Sequence, residues 1–309
     1  MAGFARMVGG AWRVTFASGT SAVHTWRWGP GQRSLRKTDG WAADGDPWGG
    51  EVIYWHPGRR QVRLLTMHGD IPGVGRGVGE GSIRFDGEAS EAVVDLYQPR
   101  GLRKLGQRQA FDGPDEYHET LLEDGGAGLQ PLAEWDFFRT QDHPRARPST
   151  DARALLECPE HLKVFEALVG SRWEATYDSP TGHDVHIEST YEWVPTLEAV
   201  YARVVAPRKD GEPTHLLDAY FFRHVGTGAL RCLALSERGG VYEGEWSVRD
   251  GGALQLDLEG FEGDRVVSQV VRFDFEEDGT ARSRVWALGN AERTLLFDVR
   301  HERVEPEKD

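Results

Sequence analysis

The chain has 309 residues, of which 39% are hydrophobic and 28% charged, so a packed core is expected and global disorder is not. Its formal net charge of −14 argues against nucleic-acid backbones and anionic membranes as partners. Two cysteines, Cys158 and Cys232, exclude a disulfide framework and a cysteine-rich zinc site, and no apolar run of about 18 residues predicts a transmembrane helix.

In chain order, Met1 to Gly10 does not read as a secretory leader, and a cytoplasmic protein is expected. Phe4 to Val8 predicts a short helix before Gly10-Ala11-Trp12. Ala22 to Trp28 alternates, with His24, Trp26 and Trp28 on one face. Over Glu51 to His56, Ile53 and Trp55 lie opposite Val52 and Tyr54. Val62 to Met67 forms a further run, and His68 sits at its end. Period-two runs bounded by Gly, Pro and Asp are strand signals. Gly69 to Gly81 carries glycine at alternate positions from Gly73. A phosphate loop needs a helix after it, but Ser82 to Phe85 continues as strand, so this segment reads as a rim loop entering a hairpin. Pro99 to Lys104 is a local basic loop that could meet an anionic ligand or balance acidic neighbours, with balance the preferred reading. Pro159 to Leu168 predicts the best helix, with Leu162, Phe165, Leu168 and Val169 on one stripe. Val266 to Phe275, Ala281 to Leu288 and Thr294 to Arg303 are strands, with turns at Glu277-Asp278-Gly279 and Arg249 to Gly252.

The chain repeats itself. The frame F-x-x-[ML]-V-G-x-x-W occurs at Phe4 to Trp12 and again at Phe165 to Trp173. Tyr54-Trp55 aligns with Tyr220-Phe221, Gly77 to Gly81 with Gly240 to Gly244, and Trp135 to Phe137 with Phe297 to Val299. The offsets drift by only a few residues. A tandem duplication follows, with one unit at 1–140, a polar linker at 141–152 and a second unit at 153–304. Each unit is expected to be all-β, a short helix and then eight to ten antiparallel strands closed into a barrel, since closure removes exposed edges.

The helix–Gly-x-Trp frame resembles the lipocalin-type, or calycin, barrels. Residues Gly211 to His215, Tyr220 to Arg223 and Gly239 to Glu245 make the second unit similar to nitrobindin-like barrels and related bacterial lipocalin-like domains. The resemblance implies two tandem antiparallel lipocalin-like barrels. It also implies a basic side chain from the last strand over the first-strand tryptophan: Arg139 on Trp12, and Arg300 or Arg303 on Trp173. Nitrobindins hold haem through a histidine near the start of the last strand. That place falls near Leu295 or Leu296, and near Glu134 or Trp135 in the first unit, so no cofactor is expected.

Seven of the eleven tryptophans lie in the first unit. They suggest a pocket for a small apolar or aromatic molecule, lined by Trp26, Trp28, Tyr54 and Trp55, with His24 and His68 orienting the ligand. An alternative is a lipid- or terpenoid-type isomerase, cyclase or hydratase on the same barrel. Another is an interaction module whose filled interior takes no ligand. His183-Asp184-Val185-His186-Ile187-Glu188 is metal-like, with His186 and Glu188 on one face, but it lacks a third donor at fixed spacing, so no metal is expected. Cys232, alternating with Leu230 and Ala234, reads as a small buried residue.

Overall fold

The computed structural model describes residues 2–43, 47–69, 75–86, 88–141, 160–178, 184–194, 198–208, 211–289 and 292–304. The chain divides into two compact units, each holding one closed ten-strand antiparallel barrel. Barrel one comprises β1 (Ala11–Thr15), β2 (Ser21–Trp28), β3 (Ser34–Trp41), β4 (Pro47–His56), β5 (Gln61–His68), β6 (Gly77–Asp86), β7 (Ala89–Gln98), β8 (Gly101–Phe111), β9 (Glu116–Asp124) and β10 (Leu129–Thr140). Barrel two comprises β11 (Arg172–Asp178), β12 (Asp184–Val194), β13 (Ala199–Ala206), β14 (Thr214–Arg223), β15 (Leu230–Ser236), β16 (Val241–Val248), β17 (Leu254–Glu262), β18 (Arg265–Phe275), β19 (Ala281–Leu288) and β20 (Arg293–Val304). Every strand pairs with its sequence neighbours, and closure comes from β1 on β10 and β11 on β20. Closing the sheet gives every strand a partner on both sides, so neither barrel presents an open sheet edge.

Strand registers superpose the two copies residue by residue. Trp12 pairs with His24 and Arg139; Trp173 pairs with Ser189 and Arg303. The third and fourth strands of both barrels slip register at the same place, after Asp39 in one and after Val204 in the other. Followed around the sheet, these registers move two of the sequence anchors by two residues. Ile53 matches Phe221, and Trp135 matches Val299. The slip keeps the face of each side chain, which is why alternation alone did not expose it.

The expected helices are 3-10 segments, Ala2–Met7 and Glu160–Phe165. Six residues close too few i→i−4 bonds to hold an α-helix, and i→i−3 bonds such as Val8 N–H to the Ala5 carbonyl take over. Phe4 and Met7 are buried, as are Leu162 and Phe165, so each segment plugs one end of its barrel core. The first-strand tryptophan fixes the plug: Trp12 Nε1–H donates to the Met7 carbonyl at 3.0 Å, and Trp173 Nε1–H to the Leu168 carbonyl at 3.3 Å. The Arg139 guanidinium lies 4.4 Å from the Trp12 ring centroid and donates to the Arg6 carbonyl at 2.7 Å. Gly10 permits this approach, because a Cβ there would stand 2.3 Å from Arg139 Nη1. In barrel two Arg303 is the residue opposite Trp173.

The glycine-rich segment is strand earlier than expected. Residues 70–74 lie outside the described residues, but β6 begins at Gly77 and carries Gly79 and Gly81 inside the sheet. Arg103, in the basic stretch, belongs to β8 and donates to Glu123 at 2.7 Å. Residues 142–152 of the predicted linker and Cys158 fall outside the described residues. Among the described residues no helix is long and apolar enough to cross a membrane, which leaves β-barrel proteins unaddressed.

Candidate functional site

The two barrels share a backbone plan but not an interior. Barrel two is filled with Phe165, Tyr191, Trp193, Phe221, Trp246 and aliphatic side chains. In barrel one the plugged half is equally apolar, around Trp12, Ile83, Phe111, Tyr117 and Phe137. Beyond it the inward faces of β2 to β5 carry charge. His24, Asp39, Gly49 and His68 lie in one cross-strand row, and Trp26, Lys37, Glu51 and Thr66 in the next. From the opposite wall β7, β8 and β9 contribute Ser90, Gln109 and Glu119, also in register.

Lys37 and Asp39 are 3% and 1% exposed, and Glu51 is 7% exposed. Lys37 Nζ donates to Glu51 Oε1 at 2.8 Å and lies 3.3 Å from Asp39 Oδ1. His24 Nε2 stands 3.4 Å from the same oxygen. Neither approach to Asp39 is angled as a hydrogen bond, and both of its oxygens are unpartnered in that sense. Gln109 donates to Glu119 at 2.9 Å and accepts from Ser90 at 3.0 Å. His68 Nε2 meets Thr66 Oγ1 at 2.7 Å, while its Nδ1 is unpartnered. The ring nitrogens of His24, the Nε1 atoms of Trp26 and Trp48, and the Tyr117 hydroxyl are likewise buried without a hydrogen-bond partner among the described residues. Unmet buried polar atoms are costly, and their concentration in one place calls for a reason.

Burial dominates the protonation equilibria. It pushes the Asp39 carboxyl up to about 7, with Lys37 opposing and Glu51 adding to the rise. Burial also raises Glu119, against the pull of Lys37 and the Gln109 hydrogen bond. Lys37 loses solvation, but the carboxylates of Asp39, Glu51 and Glu119 more than compensate and hold it above the usual ammonium range. Burial and then the Lys37 charge keep His24 well below its ordinary value, and burial takes His68 down to about 4. Tyr117 is raised, first by burial and then by the three carboxylates.

At the end opposite the plug, half-buried aromatic rings surround this polar section. Phe16 meets Trp41 at 6.2 Å and Trp135 at 6.0 Å, centroid to centroid; Trp41 meets Trp48 at 5.6 Å, and Trp48 meets His24 at 5.9 Å. The arrangement sets aromatic rings beside buried hydrogen-bond donors and acceptors, and Asp39 can exchange a proton near neutral pH.

No protein-family model and no curated protein matches the chain. Among solved structures, the crystal structure of Rv2717c from M. tuberculosis is similar over 48% of this chain and 99% of its own, at 14% identity and a TM-score of 0.33. The β domain of the Bordetella autotransporter BrkA aligns over 96% of this chain and 99% of its own, at 13% identity and a TM-score of 0.13. At these scores neither likeness carries an argument.

The residues singled out from sequence fall in three places. His24, Trp26 and His68 enter the polar section of barrel one. Trp28 and Trp55 keep the inward face but sit at strand ends toward the plug, Trp28 half-buried against the core and Trp55 44% exposed. Tyr54 is buried on the opposite face of β4 from Glu51 and Ile53. Sequence reasoning passed over Lys37, Asp39, Glu51, Glu119 and Tyr117. A signal existed, because the repeat sets them against Ala202, Val204, Ala219, Ser283 and Ala281, but it needed the strand registers to be read correctly.

The metal-like string gains the donor it lacked. Glu174 on β11 is the register partner of Glu188, and donor atoms of Glu174, His186 and Glu188 lie within 4.8 Å of one another. Arg172 already ion-pairs with Glu174 at 3.0 Å and Glu188 at 3.7 Å on this outer face. His183 lies outside the described residues. Where the family resemblance placed an iron ligand, Leu295 and Leu296 are exposed and Trp135 belongs to the aromatic ring. The imidazole inside barrel two is His301, hydrogen-bonded to Ser283 at 2.7 Å and lowered by burial to about 4.

Proposed function

We propose that barrel one binds a small organic molecule with an aromatic or apolar body and a polar end, seated among the tryptophans and the charged residues of β2 to β5. One observation carries this reading. Two copies of one fold differ at matched inward positions: Lys37, Asp39, Glu51 and Glu119 in barrel one stand where barrel two has Ala202, Val204, Ala219 and Ser283. Barrel two closes without them, so the fold does not require them. Buried charges cost stability and are retained where they serve recognition or chemistry. The reading accords with the lipocalin-like character of the Gly-x-Trp entry and with a cytoplasmic ligand carrier. A second reading, an isomerase, cyclase or hydratase, is favoured by one feature: a carboxyl that titrates near neutrality beside a neutral His24.

Native mass spectrometry with an absorbance scan of the freshly purified chain tests the binding reading, with indole titrated by calorimetry as a probe. A co-purified mass, or saturable indole binding lost in Gly49→Leu, is the expected result. An apo mass with no indole binding overturns it. Turnover of a co-purified ligand on prolonged incubation would favour the enzyme.

A further inference from the structure

We propose that the polar end of the ligand is a protonated amine, held by Asp39 and His68 over Gly49; this rests on the binding reading of barrel one. Among the described residues, three buried carboxyl groups, Asp39, Glu51 and Glu119, face a single cation, Lys37. The histidines do not restore the balance, since burial keeps His24 and His68 neutral. Glu51 is committed to Lys37 at 2.8 Å, and Glu119 to Gln109 at 2.9 Å. Asp39 Oδ1 faces Lys37 at 3.3 Å and His24 at 3.4 Å, which leaves Asp39 Oδ2 as the uncommitted acceptor. A closed section in which carboxyl groups outnumber cations and acceptors lack donors is completed by a cation that donates hydrogen bonds.

Only glycine fits at position 49. A Cβ there would stand 2.9 Å from Asp39 Oδ2 and 3.3 Å from His68 Nδ1, so these two atoms, neither with a hydrogen-bond partner, close over bare backbone. Barrel two fills the matched position with Leu217. In the tautomer whose Nε2–H donates to Thr66, His68 Nδ1 is an acceptor, giving this place two acceptors for the N–H groups of an ammonium. Trp48 and Trp41 lie tilted against each other beside this row, with Trp48 5.9 Å from His24, and indole faces attract cations while accommodating an aromatic body. An anion would find donors in Trp26, Trp48 and Tyr117 but would have to sit among three carboxyl groups.

Calorimetric titration of the full chain at pH 8 with tryptamine, tryptophol and indole-3-acetate separates the cases, because the three share an indole and differ in the charge of the side arm. Tryptamine is expected to bind at least tenfold tighter than tryptophol, with indole-3-acetate weakest. Asp39→Asn and Gly49→Ala should each bring tryptamine to within about threefold of tryptophol, with circular dichroism confirming the fold; the wild-type ranking stands as a test even if Asp39→Asn fails to fold. Tryptophol or indole-3-acetate binding as tightly as tryptamine overturns the amine and leaves the pocket standing. A tryptamine preference that survives in a folded Gly49→Ala chain overturns the placement over Gly49. No binding of any of the three overturns the pocket as well.

Discussion

Replacing Lys37 alone and replacing the charged set together should have opposite effects on stability. Lys37 Nζ sits 2.8 Å from Glu51 and 3.3 Å from Asp39, and all three side chains are less than a tenth exposed. Lys37→Met leaves those carboxyl groups buried without their cation, and breaking a buried pair in this way costs about 3–5 kcal/mol. In the triple variant Lys37→Met, Asp39→Val, Glu51→Met only Glu119 of the set is left, and it keeps its Gln109 hydrogen bond at 2.9 Å while burial favours its neutral acid. Substituting apolar residues of similar volume for a buried ion cluster ranges from neutral to about 4 kcal/mol stabilising. Val already occupies the Asp39 position in barrel two, as Val204. The assay is guanidinium denaturation followed by tryptophan emission, which is weighted to barrel one by its seven indoles of eleven. Barrel two serves as internal reference, since a two-barrel chain need not melt in one step. A triple variant as unstable as Lys37→Met would refute the reasoning, because the cluster would then be structural and the case for a binding site would lose its main support.

Three further outcomes follow from other parts of the molecule. The unliganded chain should lose about 1 kcal/mol between pH 6.5 and 8: Asp39, raised from 3.8 to about 7, contributes stability that is present at low pH and disappears as pH climbs through 7. His68 and His301, both lowered to about 4, act in the other sense, losing their contribution as pH falls from 6.5 through 4, so they do not mask the alkaline slope; Asp39→Asn should flatten it in pH-dependent melts. Arg139→Ala should cost about 1–3 kcal/mol by removing the contact over Trp12 and the bonds to the Arg6 and Pro114 carbonyls, seen as an earlier barrel-one transition. Cys232 is buried, with its thiol pushed up to about 12, so in a Cys158→Ser chain a thiol reagent should titrate no group until denaturant is added.

Much of the architecture was legible because its signals are local. Alternation marked strands such as Ala22 to Trp28 and Ala281 to Leu288, and the repeated Phe4 to Trp12 frame announced a second copy. The short plugs were harder. A stripe such as Leu162, Phe165 and Leu168 suits either helix type, and only the length available before Gly170, at φ 75°, selects the 3-10 form. The charged interior was hidden for a different reason. In β3 polar side chains occupy both faces, Arg36 and Thr38 on one and Lys37 and Asp39 on the other, so alternation gives no sense of inside and outside. His24 and Trp26 stood out by residue type, whereas Lys37 and Asp39 resemble ordinary surface residues until the barrel closes around them. Tyr54 shows the converse, an aromatic that alternation correctly put opposite Trp55 and that lies away from the chamber despite its chemistry.

Closure by first and last strands also bears on how such a chain arises. In barrel one Ala11 is the register partner of Thr140, and in barrel two Arg172 is the partner of Val304. The polypeptide therefore enters and leaves each barrel at the same end, on neighbouring strands. A gene segment encoding one barrel is a self-contained cassette. Copying it in tandem, or excising it, opens no sheet and requires no strand to find a new neighbour. Once copied, one interior is free to drift toward filled apolar packing while its twin keeps an expensive set of charges, since selection on the first places no demand on the hydrogen-bond ladder of the second.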